Sequence, residues 1–192
     1  MKLPDFLLQK RPEIFNKWFD LLLSVYPEDT ARLMKSKEER FANPVAYAAK
    51  DALEGIYISL YEDFDSAGIR PLLDDIIRIR AVQEFCPSVA LAFIPGLKKI
   101  VRETLRISNG SGPSADGLHD ELALLDERID SLTLLAFDIY MQCKEKLYEI
   151  RANETRNLTF RLLQQAELLH IREEKPELMS IDSITNRKKR GG

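Results

Sequence analysis

Between Leu118 and Lys175 the chain contains neither glycine nor proline, and this uninterrupted run constrains the rest of the architecture. Along its first half Leu118, Leu122, Leu125, Ile129, Leu132, Ala136, Ile139 and Cys143 recur at alternating steps of four and three. That spacing keeps residues on one face of an α-helix, and Leu147 and Ile150 extend the row. From Leu132 to Met141 the segment is apolar almost all round, which predicts a buried central helix. One helix over the whole run would be roughly 85 Å long at ~1.5 Å per residue, whereas a compact domain of this mass is about 35–40 Å across. The helix must therefore protrude, break or pair with another copy. Arg151 to Asn157 is the polar stretch at which it is expected to leave the core. Beyond it Leu158, Leu162, Leu163, Gln165 and Leu169 form an exposed second stripe, and an amphipathic stripe outside a core needs a partner surface. Pairing with a second copy through Leu158, Leu162 and Leu169 is the leading expectation; folding back onto the domain is the alternative.

Upstream of this run helical spacing recurs almost everywhere, and no period-two alternation marks a strand. The fold class read from the pattern is all-α, a helical bundle with a long C-terminal helix. A first helical region is expected from about Pro4 to Tyr26, its main part opened by Pro12 and its apolar stripe carried by Ile14, Phe15, Trp18, Leu22 and Val25. Pro27 stops it, and Asp29 or Thr30 caps a short helix through Met34. Asn43 and Pro44 open the next helix, in which Gly55 marks a close approach to a neighbouring helix because glycine costs up to ~1 kcal/mol relative to alanine there. Asp65, Ser66 and Gly68 are expected to end it, with a new helix from Pro71 to Phe85. After Pro87 a further helix runs through Leu105, kinked at Pro95 and Gly96, since proline removes a backbone hydrogen bond and clashes with the preceding turn. Ser108 to Ala115 reads as a flexible loop.

Composition excludes several function classes. The 192 residues carry a net charge of −3, so no global positive field attracts nucleic acid. The one dense basic run, Arg187 to Arg190, reads as a solvated tail. No window approaches the ~18 apolar residues of a membrane span, and the first ten residues do not form a signal-peptide pattern. Cys86 and Cys143 lie far apart without CxxC spacing, which fits a reduced, cytoplasmic compartment and two small buried side chains.

No constellation of catalytic residues is visible. There is no GxSxG, no phosphate-binding loop, and neither cysteine lies in a motif with a histidine. The two histidines, His119 and His170, offer no i, i+4 clamp for a metal. The chain is therefore read as a non-enzyme without cofactor or metal. Polar residues within apolar stretches are more informative. Asp138 sits between Phe137 and Ile139, and a buried carboxylate must be paired or protonated. Arg80 is its expected partner, in a structural salt bridge or a ligand-sensing pair, while Asp74 and Arg78 pair along their own helix.

Three segments carry a family resemblance. Arg40-Phe-Ala-Asn-Pro44, Ile77-Arg-Ile-Arg-Ala-Val-Gln-Glu-Phe85 and Ala136-Phe-Asp-Ile-Tyr-Met-Gln-Cys143, with the following Lys146-Leu-Tyr-Glu-Ile-Arg151, resemble the N-terminal domain of RsbRD-type co-antagonist proteins over roughly Leu7 to Glu154. The resemblance implies a globin-like, non-haem helical sensor domain that dimerises and, in stressosome complexes, precedes a STAS domain. The absence of histidine from Met1 to Leu118 agrees with a domain that holds no haem. The implied organisation is a sensor domain over residues 1–154, a helical extension over 155–175 and a tail over 176–192. With about a hundred residues too few for a STAS domain, the chain is expected to act as a stand-alone regulatory domain, signalling by homodimerisation and by docking a regulatory or STAS-type protein through its C-terminal helix. Two alternatives stand beside this: a ligand pocket within the bundle, and an accessory protein of a neighbouring enzyme complex.

Overall fold

The computed structural model describes residues 1–35, 44–62, 64–108, 112–113 and 117–174, with the side chains of 44, 45 and 167–174 left out. Among these residues there are eight helices and no strand: α1 (Leu3–Gln9), α2 (Arg11–Leu23), α3 (Glu28–Lys35), α4 (Pro44–Tyr61), α5 (Ser66–Val82), α6 (Pro87–Leu91), α7 (Phe93–Ile107) and α8 (Leu118–Glu174). The fold is all-α. By compactness the chain divides into two units, Met1–Glu145 and Lys146–Gly192.

Local chemistry explains most helix ends. Lys10 separates α1 from α2, and Pro12 occupies the first turn of α2, where its missing N–H costs nothing. The expected cap of α4 at Asn43 lies outside the described residues, as do Arg40 to Ala42 and most of the loop after Ser108. Asp65 does not end α4; it begins α5. Its carboxylate accepts from the N–H groups of Ala67 and Gly68, both at 3.0 Å, which satisfies two of the donors a helix N-terminus leaves open. Helix α5 thus starts five residues before Pro71 and carries that proline inside it. The expected kink at Pro95 is displaced too. The break falls at Ala92, between α6 and α7, so that Pro95 sits in the first turn of α7, where no intrahelical N–H bond is lost.

In the first unit α4 lies against α5, and α2 against α7. Gly55 sits at the α4–α5 contact as its spacing predicted: a Cβ there would stand 2.8 Å from Leu72 Cδ1. Gly96 similarly leaves room on α7 for the side chain of Leu21. Trp18, fully buried, donates from Nε1 to the Phe93 carbonyl at 2.8 Å, joining α2 to α7. Tyr57 donates from its hydroxyl to the Leu7 carbonyl at 2.9 Å. Burial drives the Tyr57 hydroxyl well above the ordinary phenol range, so it stays protonated and keeps donating.

The row that runs down the start of α8 packs where its period predicts. Leu125, Ile129, Leu132, Ala136 and Ile139 are buried in the common core, with Leu118, Leu122 and Cys143 half-buried at its ends. Ion pairs join this part of α8 to α7: Lys98 with Asp130 at 2.6 Å, and Arg102 with Asp126. Arg128 donates to the carbonyls of Leu60 at 2.8 Å and Glu62 at 3.1 Å, closing the C-terminal end of α4.

The expectation of a helix buried on every side is corrected. Leu134, Phe137 and Met141 are 68, 43 and 48% exposed. They lie opposite the buried row, and nothing among the described residues covers that face. The apolar character of Leu132 to Met141 reflects two different faces, one packed and one bare.

Candidate functional site

Arg80 is the one buried cation among the described residues, with 2% of its surface exposed. It stands on the last turn of α5, whose inward face also buries Leu73, Ile76, Ile77 and Ala81. Its guanidinium donates from Nη1 to the Leu22 carbonyl at 2.9 Å and from Nη2 to the Val89 carbonyl at 3.2 Å. Both carbonyls belong to the final turns of helices, α2 and α6, where backbone acceptors lack intrahelical partners and the helix dipole is negative. The charge is thus met by two helix ends in place of a carboxylate. Three aromatic rings complete the surround, with the guanidinium carbon 5.8 Å from the ring centre of Tyr26, 5.6 Å from Phe85 and 5.3 Å from Phe93. Burial pulls the Arg80 guanidinium down from its ordinary range, against the opposing influence of Tyr26. Its Nε has no hydrogen-bond partner among the described residues.

Asp138 takes no part in this arrangement. It is exposed on α8, and no ion pair joins it to Arg80. The pairing expected from sequence is corrected: one hundred degrees of turn per residue puts Asp138 on the opposite flank from the buried Ile139 and Tyr140. It is Tyr140 that reaches the Arg80 region, its hydroxyl donating to the Phe85 carbonyl at 2.6 Å. Asp74 and Arg78 do pair within α5, at 2.5 Å.

The cysteines also differ from each other. Cys143 is half-buried, but Cys86 is exposed, contrary to its reading as a buried residue. Cys86 sits at the N-cap of α6 with its sulfur 3.2 Å from the Ser88 hydroxyl. That hydrogen bond, joined by the Val89 N–H, holds the thiol below its ordinary range. His119 is exposed, and the side chain of His170 lies outside the described residues. Among the described residues no three His, Cys, Asp or Glu side chains are grouped to hold a metal, and no helix is long and apolar enough to cross a membrane. A cavity of about 120 Å³ lies among Leu3, Leu7, Leu60, Tyr61, Glu121 and Arg128. Two of its polar members are committed: Glu121 accepts from the Leu3 N–H at 2.7 Å and Arg128 is bonded to two carbonyls. It is smaller than the ~300–1,000 Å³ of ordinary ligand pockets.

The second unit presents a surface of another kind. Leu158, Phe160, Leu162 and Leu163 are each 57–60% exposed on α8. Of the stripe expected from sequence, Leu158 and Leu162 are therefore at the surface, and the side chain of Leu169 lies outside the described residues. Phe160 is exposed as well, but about 200° round the helix from Leu158, so the four-residue spacing of the stripe passes over it.

Comparison with known proteins gives two matches. An uncharacterized protein of Archaeoglobus fulgidus is 26% identical over 145 residues, covering 75% of this chain and 83% of its own length. No solved structure matches. The family described as the RsbT co-antagonist protein rsbRD N-terminal domain matches residues 12–155. That span takes in the arginine that closes two helix ends, the glycine-mediated helix contact and the buried row of α8, and the chain belongs to this family.

Proposed function

We propose that this chain is a regulatory sensor domain of stressosome type, which forms a homodimer and reports to a protein partner through α8. The family supports a regulatory role through protein contacts. On this reading residues 1–154 are the sensor and residues 155–175 the helical extension that carries the output. The carrying observation is the exposure of Leu158 and Leu162, at i and i+4, on α8. Exposed leucines at i, i+4 are the anchors of helix-to-helix docking. The bare Leu134, Phe137 and Met141 add a second apolar surface for contact within the sensor. A signal would act by biasing two arrangements of α8, with the shift limited by its differential affinity for the two.

Light scattering at tens of micromolar tests the reading. The full chain is expected to self-associate, and Leu158→Glu with Leu162→Glu is expected to abolish the pairing while far-ultraviolet circular dichroism is unchanged. A full chain that runs as a monomer would sink it.

A further inference from the structure

Three helices of the first unit meet around the cavity of about 120 Å³, and each pair of them is braced by one side chain. Glu121 of α8 accepts from the Leu3 N–H of α1 at 2.7 Å. Arg128 of α8 donates to the Leu60 carbonyl of α4 at 2.8 Å, and Tyr57 of α4 donates to the Leu7 carbonyl of α1 at 2.9 Å. This closed triangle of bonds fixes the three walls relative to one another, so the space between them is preformed. Leu3, Leu7, Leu60 and Leu125 line it from the core side and are buried. Leu124, 51% exposed, stands at its rim.

The polar capacity around this apolar space is small and two-sided. Glu121 uses one carboxylate oxygen on Leu3, and Arg128 uses only Nη1 on its two carbonyls. The second oxygen of Glu121, the other guanidinium nitrogens of Arg128 and the Tyr61 hydroxyl make no hydrogen bond among the described residues. Burial raises the Tyr61 phenol above its ordinary range, so it stays protonated and can donate. Glu121 and Arg128 lie about two turns apart on one face of α8, and their opposite charges cancel at the cavity. A lone anion or cation entering it would give up hydration and meet both signs. An uncharged head that both donates and accepts suits both groups. Volume sets the size: a dry cavity of about 150 Å³ holds benzene, so this one has room for about four or five heavy atoms.

We infer that this cavity binds a small uncharged amphiphile, with a short aliphatic body against the leucines and an amide or hydroxyl head among Tyr61, Glu121 and Arg128. The head donates to the Glu121 carboxylate and accepts from Tyr61 or Arg128. So few atoms give a Kd on the order of millimolar. Once bound, the ligand adds apolar contact between α1, α4 and the start of α8 and stabilises their packing by mass action. The site lies wholly within the first unit. It does not depend on the self-association proposed above, and a chain that stays monomeric is expected to bind as well.

Methyl-resolved NMR on the full chain, with leucine methyls labelled, tests the site by titration. Propionamide and 1-propanol are the neutral probes, propionate the near-isosteric anion, propylammonium the cation and alanine the zwitterion. The expected result is a saturable shift of the Leu3, Leu7, Leu60 and Leu125 methyls with a neutral probe, and binding at least about tenfold weaker for each charged one. The tighter neutral probe identifies the head as amide or hydroxyl. Leu124→Trp, at the exposed rim, is expected to keep the circular dichroism of the parent and to lose the saturable shift. Tyr61→Phe is expected to weaken the tighter probe about three- to tenfold. Shifts that stay linear in concentration, or that spread over the whole first unit, overturn the inference. So does equal binding of propionate, propylammonium or alanine, or undiminished binding in both variants. None of these outcomes alters the light-scattering test of self-association, so the two readings fail separately.

Discussion

Replacing Arg80 by methionine keeps a long unbranched side chain and removes the charge and all five donors. The Leu22 and Val89 carbonyls, now held at 2.9 and 3.2 Å, lose their partner. Leaving a buried acceptor unsatisfied costs about 1–3 kcal/mol, and the three ring contacts contribute about 0.5–2 kcal/mol. In the opposite direction, the variant no longer holds a desolvated cation that lacks a carboxylate, and this recovers part of the several kcal/mol such burial costs. The balance is an expected loss of about 2–4 kcal/mol, a large share of the ~5–15 kcal/mol typical of a domain. Arg80→Lys should fall in the same range, because a single ammonium cannot reproduce the planar fork that spans two helix ends. Urea unfolding followed by circular dichroism reads the loss as a lowered midpoint at unchanged slope. Asp138→Asn should stay within about 0.5 kcal/mol of the parent, and the double variant should be additive within about 0.3–0.5 kcal/mol. An Arg80→Met chain as stable as the parent, or strong coupling to Asp138, would refute the assignment of the helix ends as its counter-charge.

Other predictions test neighbouring parts of the fold. Leu132→Ala should cost about 2–5 kcal/mol, whereas Leu134→Ala, two residues on and 68% exposed, should change stability by no more than about 0.5 kcal/mol; urea midpoints for the pair decide which face of α8 is packed. Asp65→Ala should cost about 1 kcal/mol by removing the cap of α5, measurable as a lower thermal midpoint. Cys86 should react with iodoacetamide before Cys143, with a pH midpoint lower than that of an ordinary cysteine. The Ser88 hydrogen bond favours the thiolate, so Ser88→Ala should move that midpoint upward, and a pH profile of alkylation followed by mass spectrometry checks the sign.

Much of this protein is written in local sequence, because helix formation and helix ends depend on near neighbours. The glycine- and proline-free run sets α8, its four-three row identifies the buried residues Leu125 to Ile139, and Gly55 announces a close helix contact before any neighbour is known. Ends were less legible where two local signals compete. Asp65 can close one helix or open the next, and Pro95 can kink a helix or be placed harmlessly in a first turn. The partner of Arg80 was beyond sequence altogether. A search for a counter-ion looks among side chains and finds Asp138, but the acceptors are the backbone carbonyls of Leu22 and Val89, atoms that every residue carries and only packing selects. Tertiary structure likewise decided that the apolar run from Leu132 to Met141 has one covered face and one bare. Periodicity tells which residues share a side of a helix; whether another element lies against that side depends on where the rest of the chain goes.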